Sequence, residues 1–150
     1  RTYTREPDSA YNGYYDEPYP SQQWSLTQDT ATICSYHCQK ATCHYHGRDF
    51  EAWFTTEIPT RFGPWKFGGL PGLIVKVYDT DRLYTFECVR VNNVRIPMLS
   101  NPYKQHRPIN RAKVLKFERR VNEDYHRTLG WVRMEGPQPR PVHYEPLELE

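Results

Sequence analysis

Cysteine and histidine supply the residues best able to do chemistry in this chain. Cys34, His37, Cys38, Cys43, His44 and His46 cluster within residues 34–46, and Cys88 stands apart. Thiolate and imidazole suit copper and zinc, so His37, Cys38, Cys43, His44 and His46 form a candidate Cu or Zn set. His44 and His46 would share one strand face by parity. The spacings match no zinc module and contain no CxxC pair, so solvated strand histidines are the plainer reading. The leading expectation is therefore no cofactor, with Cu or Zn as the alternative.

Nucleophilic catalysis would need a Cys–His pair, and acid–base work would need paired carboxylates. Asp79 and Asp81 read better as turn residues, and Glu57 precedes a strand stopped by Pro59. No spacing identifies a catalytic residue, and the expectation is a protein that is not an enzyme.

An even number of cysteines in an oxidising compartment favours disulfides. Residues four apart on one extended strand lie about 13 Å from each other, beyond the roughly 7 Å that a bridge tolerates. Pairing among Cys34, Cys38 and Cys43 therefore needs a bend, or else the distant Cys88. One bridge is expected from Cys88 to Cys34, Cys38 or Cys43, its partner left open.

Several elements must position these groups. Residues 1–23 interleave Tyr3, Tyr11, Tyr14, Tyr15 and Tyr19 with prolines and read as an extended arm with one edge strand near its start. Residues 32–36, 40–45 and 49–55 read as strands. In the last of them Phe50, Ala52 and Phe54 alternate with more polar neighbours, a half-buried pattern. Residues 73–78 and 83–91 form a hairpin about a turn at 79–82, and 94–96 could add a short strand. Val114, Phe117, Val121 and Tyr125 carry helical spacing over about 108–127, with Pro108 in the first turn and Gly130 past the end. The tail, 136–150, holds four prolines and reads as extended.

Between Gly63 and Gly72 lie four of the eight glycines, with Pro64 and Pro71, so the segment is neither helix nor central strand. Its amides could hold an anion or a peptide. It lacks the lysine and Ser/Thr of a phosphate loop, which goes against nucleotide binding. The preferred reading is a structural loop wedged across a sheet by Trp65, Phe67 and Leu70, since aromatics seek burial. On that reading Gly72→Val should destabilise the fold by a few kcal/mol if Gly72 holds positive φ.

Composition sets the frame. The apolar fraction is 37% and the mean hydropathy −0.88. The 12 Tyr, 6 Phe and 4 Trp go against disorder and suit strands. The net charge is +2, and eight Lys or Arg fall between Lys104 and Arg127. That run reads as a solvated helix face, and nothing else points to nucleic acid. No stretch approaches the roughly 18 apolar residues that span a membrane. The chain opens at Arg1, and reads as mature, trimmed or a fragment.

The stretch Gly63-Pro64-Trp65-Lys66-Phe67-Gly68-Gly69-Leu70-Pro71-Gly72-Leu73-Ile74 spells out GLPGLI and resembles the signature of the GLPGLI family. Trp24, the Cys38 segment (36–42), residues 47–55, Glu57-Ile58-Pro59, Asp79, residues 84–88 and the ending 145–150 resemble that family in the same order. Cys34, where the family tends to have a small residue, departs from it, as do His44 and His46. The resemblance implies an exported Bacteroidetes-type envelope protein, in the periplasm or associated with the outer membrane. It implies no catalytic residues. It also implies a gene beside those for TonB-dependent outer-membrane receptors, and a β-forming segment upstream that would make this chain the C-terminal part of a longer protein.

The expected fold is mainly β with one helix, a curved antiparallel sheet resembling a lipoprotein-carrier half-barrel. An arm (1–23), a β-rich domain (24–135) and a tail (136–150) follow in order. The expected function is a non-catalytic envelope binding or assembly subunit docked on an outer-membrane, TonB-dependent receptor-type partner. A periplasmic Cu- or Zn-binding protein and a hydrolase are the second and third readings. The arm and tail, rich in Tyr and Pro, are expected to be binding elements.

Overall fold

The computed structural model describes residues 2–4, 13–18, 22–92, 94, 107–128 and 142–148. In chain order its elements are β1 (Thr2–Thr4), β2 (Gly13–Tyr15), β3 (Ser25–Ile33), β4 (Tyr36–Tyr45), β5 (Arg48–Thr55), β6 (Leu73–Asp79), β7 (Thr85–Glu87), β8 (Arg107–Pro108), α1 (Arg111–Glu123) and α2 (Tyr125–Thr128). The fold is mainly β, with one helix, α1, followed by the single turn α2. Two compact units divide the chain, Arg1–Glu17 with Pro97–Pro146, and Pro18–Ile96 with Leu147–Glu150. Among the described residues no helix is long and apolar enough to cross a membrane.

The second unit is an antiparallel sheet in the order β3-β4-β5-β6-β7, not closed into a barrel. The alternation in β5 does what its pattern predicts: Phe50, Ala52 and Phe54 are buried. Ala41 pairs with Ala52, and Ala52 with Val77, so one face of the sheet is continuous apolar surface. Phe67 and Leu70 close over that face, with Trp24, Tyr45, Phe86 and Leu147 at its margin. The opposite face is polar around Lys40, Trp53 and Lys76, as an antiparallel sheet allows, while Cys38 and Thr55 on that face are buried. There Lys40 pairs with Trp53, Trp53 with Lys76, and Lys76 with Glu87. Glu51 accepts a 2.7 Å hydrogen bond from the Tyr78 hydroxyl on the same face.

Edge strand β3 buries little and is broken by a bulge between Leu26 and Thr30. At the bulge Lys40 pairs with Asp29 at 2.5 Å. Lys40 holds the Asp29 carboxyl below the usual carboxylate range, mainly through the hydrogen bond and then through its charge. The pair is solvent-screened and adds little stability. It blunts the β3 edge of the sheet, since bulges and charges disfavour strand addition.

Several boundaries in this sheet differ from the sequence reading. Strand 32–36 is cut by a two-residue turn, because Cys34 and Ser35 both take positive φ, 52° and 68°. The return strand 83–91 shortens to β7, although the Cys88 amide still donates to the Val75 carbonyl. Of the suggested strand 94–96, residues 95 and 96 lie outside the described residues, and Val94 is not in a strand.

In the first unit β1 pairs antiparallel with β2, and β2 runs parallel to β8. Part of the expected arm is thus strand-paired, while Tyr11 and Tyr19 lie outside the described residues. Pro108 is in β8 rather than in the helix. The helix begins at Arg111 because Asn110, in an extended conformation, accepts from the Ala112 amide at 2.9 Å. That cap satisfies one of the amides that a helix start leaves without a partner. Val114 is the buried residue of α1. Asn110→Ala is expected to cost about 1 kcal/mol, read as earlier loss of helical circular dichroism on heating, whereas Asn110→Asp should retain stability. Gly130, Pro137, Pro139 and Pro141 lie outside the described residues.

Candidate functional site

The signature loop is held in place mainly by backbone contacts. The Gly69 amide donates to Arg61, that of Leu73 to Ile58, and that of Ile74 to Phe62, at 2.9–3.1 Å. The Phe67 amide donates to the Pro64 carbonyl at 3.0 Å. Gln22, buried before β3, bridges the loop: its side chain donates to the Lys66 carbonyl and accepts from the Gly68 amide. The Trp24 indole donates to the Gly68 carbonyl at 2.8 Å. From the tail, Glu148 pairs with Lys66 at 2.6 Å, both side chains well buried. Leu147 and Glu148 are therefore anchored within this unit, where an arm for an external partner was expected.

Each signature residue now has a place. Phe67 and Leu70 are 1% and 2% exposed and make the expected wedge. The Phe67 ring meets Phe50 at 4.8 Å and Trp65 at 5.3 Å between centroids. Trp65 departs from the expectation. It takes a left-handed φ of 52° and stays 41% exposed, its ring against Tyr45. Phe62, just before the signature, is 62% exposed. Gly69 has φ of +89° and open space around a built Cβ, whereas Gly63 is tight against Ile74. Gly72 is not in the left-handed region, so positive φ is not the reason for glycine there. It is required because a Cβ there would lie 2.0 Å from the Thr55 carbonyl oxygen. Pro71 is exposed.

The candidate metal residues do not converge, and no group of three or more His, Cys, Asp or Glu among the described residues could hold a metal ion. The register of β4 explains why. Cys38 and Cys43 are five residues apart on an unbroken strand and point to opposite faces. His44 shares the face of Cys38 but lies roughly 20 Å along the strand. His37 is exposed, its amide donating to the Glu57 carboxylate at 2.7 Å. His46 has left the strand for a turn, with φ of 48°, and its ring stands edge-on to Tyr45.

Cys43 and His44 are adjacent in sequence but back to back in space. Burial pushes the Cys43 thiol up to about 12, so it stays protonated at neutral pH and is a poor nucleophile. On the other face His44 meets Asp49 at 2.7 Å, both about two-thirds exposed. They line a cavity of about 300 Å³ with Gln23, Ser25, Thr42 and Glu51. Its polar walls offer hydrogen bonds, and solvent screens the His44–Asp49 pair.

The thiols of Cys34 and Cys88 are brought together, their sulfurs 3.9 Å apart. Sequence spacing left three partners open for Cys88, and of these Cys34 is the one whose sulfur lies 3.9 Å from it.

Residues 45–76, from the end of β4 through the signature loop into β6, match a family described as protein of unknown function (Porph_ging). No curated protein matches the chain. A solved structure of PNGF-II is similar over 63% of this chain and 18% of that one, with 18% identity and a TM-score of 0.43. This chain thus spans under a fifth of that solved chain's length.

Proposed function

We propose that this chain is a GLPGLI-type exported binding or assembly subunit of the cell envelope, without catalytic activity of its own. It works in the periplasm or at the outer membrane, docking on a TonB-dependent receptor-type partner through the signature loop. The observation that carries this reading is the posture of Trp65. A left-handed backbone on a residue other than glycine costs of the order of 1 kcal/mol or more. Here that conformation leaves a large indole 41% exposed, in the loop where Phe62 is 62% exposed. Aromatic side chains on a fixed frame are the usual anchors of protein interfaces, because they contribute large contact area with little ordering entropy.

The test is affinity capture from outer-membrane extracts of the source cells, comparing the native chain with Phe62→Ser and Trp65→Ser. Capture of a β-barrel receptor is expected with the native chain. It should weaken by roughly tenfold or more in each variant while the melting midpoint of Phe62→Ser stays close to the native value. Equal capture by all three proteins, or no barrel receptor at all, would remove the docking assignment.

A further inference from the structure

We infer that Cys34 and Cys88 are a built disulfide-forming pair, a site of oxidative modification that staples one end of the sheet, while Cys38 and Cys43 remain thiols. Topology carries this inference. Cys34 lies in the turn joining β3 to β4, and Cys88 follows β7 at the same end of the sheet. In a flat sheet three to four strand spacings of about 4.8 Å, roughly 14–19 Å, would separate them. The 3.9 Å contact between their sulfurs therefore requires this end of the sheet to curl until its two margins meet. A bond across that contact would join the margins without closing the sheet by hydrogen bonds.

The turn supplies a second, independent observation. A two-residue hairpin with both central φ values positive favours Asn-Gly or Gly-Gly, yet this one is Cys34-Ser35. The strained position aims a thiol at Cys88 where a better turn former would aim nothing. Access separates the four cysteines as well. Cys34 and Cys88 are partly exposed, while Cys38 is fully buried, and Cys43, on β4 beside Phe50, is in the core. The Cys38 thiol instead donates to the Tyr36 carbonyl at 3.4 Å.

The oxidant is a small disulfide, and the chemistry is thiol–disulfide exchange. One thiol loses its proton to solvent, and its thiolate attacks the disulfide, releasing one thiolate of the oxidant and leaving a mixed disulfide. The second protein thiol then ionises and displaces the other half of the oxidant, which departs as a thiolate. The pair loses two electrons and two protons, and the oxidant takes up both electrons. Desolvation first, and then the neighbouring Cys88 thiol, raise the Cys34 thiol above its ordinary range. Exchange should accordingly quicken as pH rises from 7 to 9.

Oxidised glutathione added to the reduced, folded chain tests this. Free thiols are blocked under denaturant, and the protein is digested with chymotrypsin without reductant, since cleavage at Tyr36 separates Cys34 from Cys38. The expected result is a linked peptide joining Cys34 to Cys88, with Cys38 and Cys43 recovered as blocked thiols. The melting midpoint of the oxidised protein should rise on the order of 10 °C over the reduced one. Cys88→Ser should remove both the link and the rise. A bridge containing Cys38 or Cys43, four surviving thiols, or a Cys34–Cys88 link with an unchanged midpoint would each overturn the inference. Because the mapping uses the native chain, a poorly folding variant leaves the answer intact.

Discussion

Gly72→Val should abolish stable folding, and Gly72→Ala should already cost about 3 kcal/mol or more. A Cβ at this position would lie 2.0 Å from the Thr55 carbonyl oxygen and 2.6 Å from its carbonyl carbon. Those are backbone atoms at the end of β5, and Thr55 is fully buried, so relief requires moving the strand. Gly72 precedes Leu73, whose pairing with Thr55 opens the β5–β6 ladder, and the clash would fall on that first pair. Gly69 is the control. Its φ of +89° strains an L-residue, but a Cβ there meets nothing within 4 Å, so Gly69→Ala should cost only about 1 kcal/mol. Urea midpoints of Gly72→Ala and Gly69→Ala decide between close approach and backbone conformation as the reason for Gly72. Equal midpoints, or a milder Gly72→Ala, would show that the strand can yield.

Sequence pattern showed the parts of the fold where one face is apolar and the other polar. Phe50, Ala52 and Phe54 revealed β5, because burial enforces period 2 there, and the nearly continuous apolar run 73–78 revealed β6, most of whose residues are buried. Edge strand β3 gave no such signal. Its Thr, Gln and Asp residues are exposed on both faces, and pairing with β4 rather than burial keeps it extended. The turn at Cys34-Ser35 contains neither Gly nor Asn, so local chemistry pointed to continuous strand, and only register reveals the reversal. The role of Gly72 was half legible. Its glycine requirement could be read, while its cause, a neighbouring backbone, depends on how residues 56–72 fold back on β5. The metal candidates failed on parity and on distance, since adjacent strand residues such as Cys43 and His44 cannot share a face, and Cys38 and His44, which do, lie roughly 20 Å apart along the strand. The contact between Cys34 and Cys88 depends on curvature across five strands, which sequence spacing does not encode.

Asp79 is the clearest case of a residue whose turn chemistry concealed its main role. It does shape the turn, for its carboxylate accepts from the Tyr84 amide at 2.7 Å and its carbonyl from the Arg82 amide at 2.9 Å. Its side chain, however, is 1% exposed and faces the Arg48 guanidinium at 3.4 Å, itself 5% exposed. Arg48 opens β5 and Asp79 ends β6, so the pair joins two strands at one end of the core. The Arg48 guanidinium also sits over the Tyr84 ring at 5.6 Å. Asp79→Ala is expected to cost about 3 kcal/mol or more, since it leaves a buried guanidinium without this carboxylate and the Tyr84 amide without its acceptor. Arg48→Met should cost a similar amount by stranding the carboxylate. A buried ion pair is favourable chiefly relative to half of itself, because desolvation offsets much of the mutual attraction. The double variant, Arg48→Met with Asp79→Leu, should therefore be clearly more stable than the sum of the single losses implies, by a coupling of about 1–3 kcal/mol. Denaturant midpoints of the four proteins give that coupling directly. Strict additivity would mean that Asp79 matters through the Tyr84 turn alone, with the guanidinium satisfied by other groups around it.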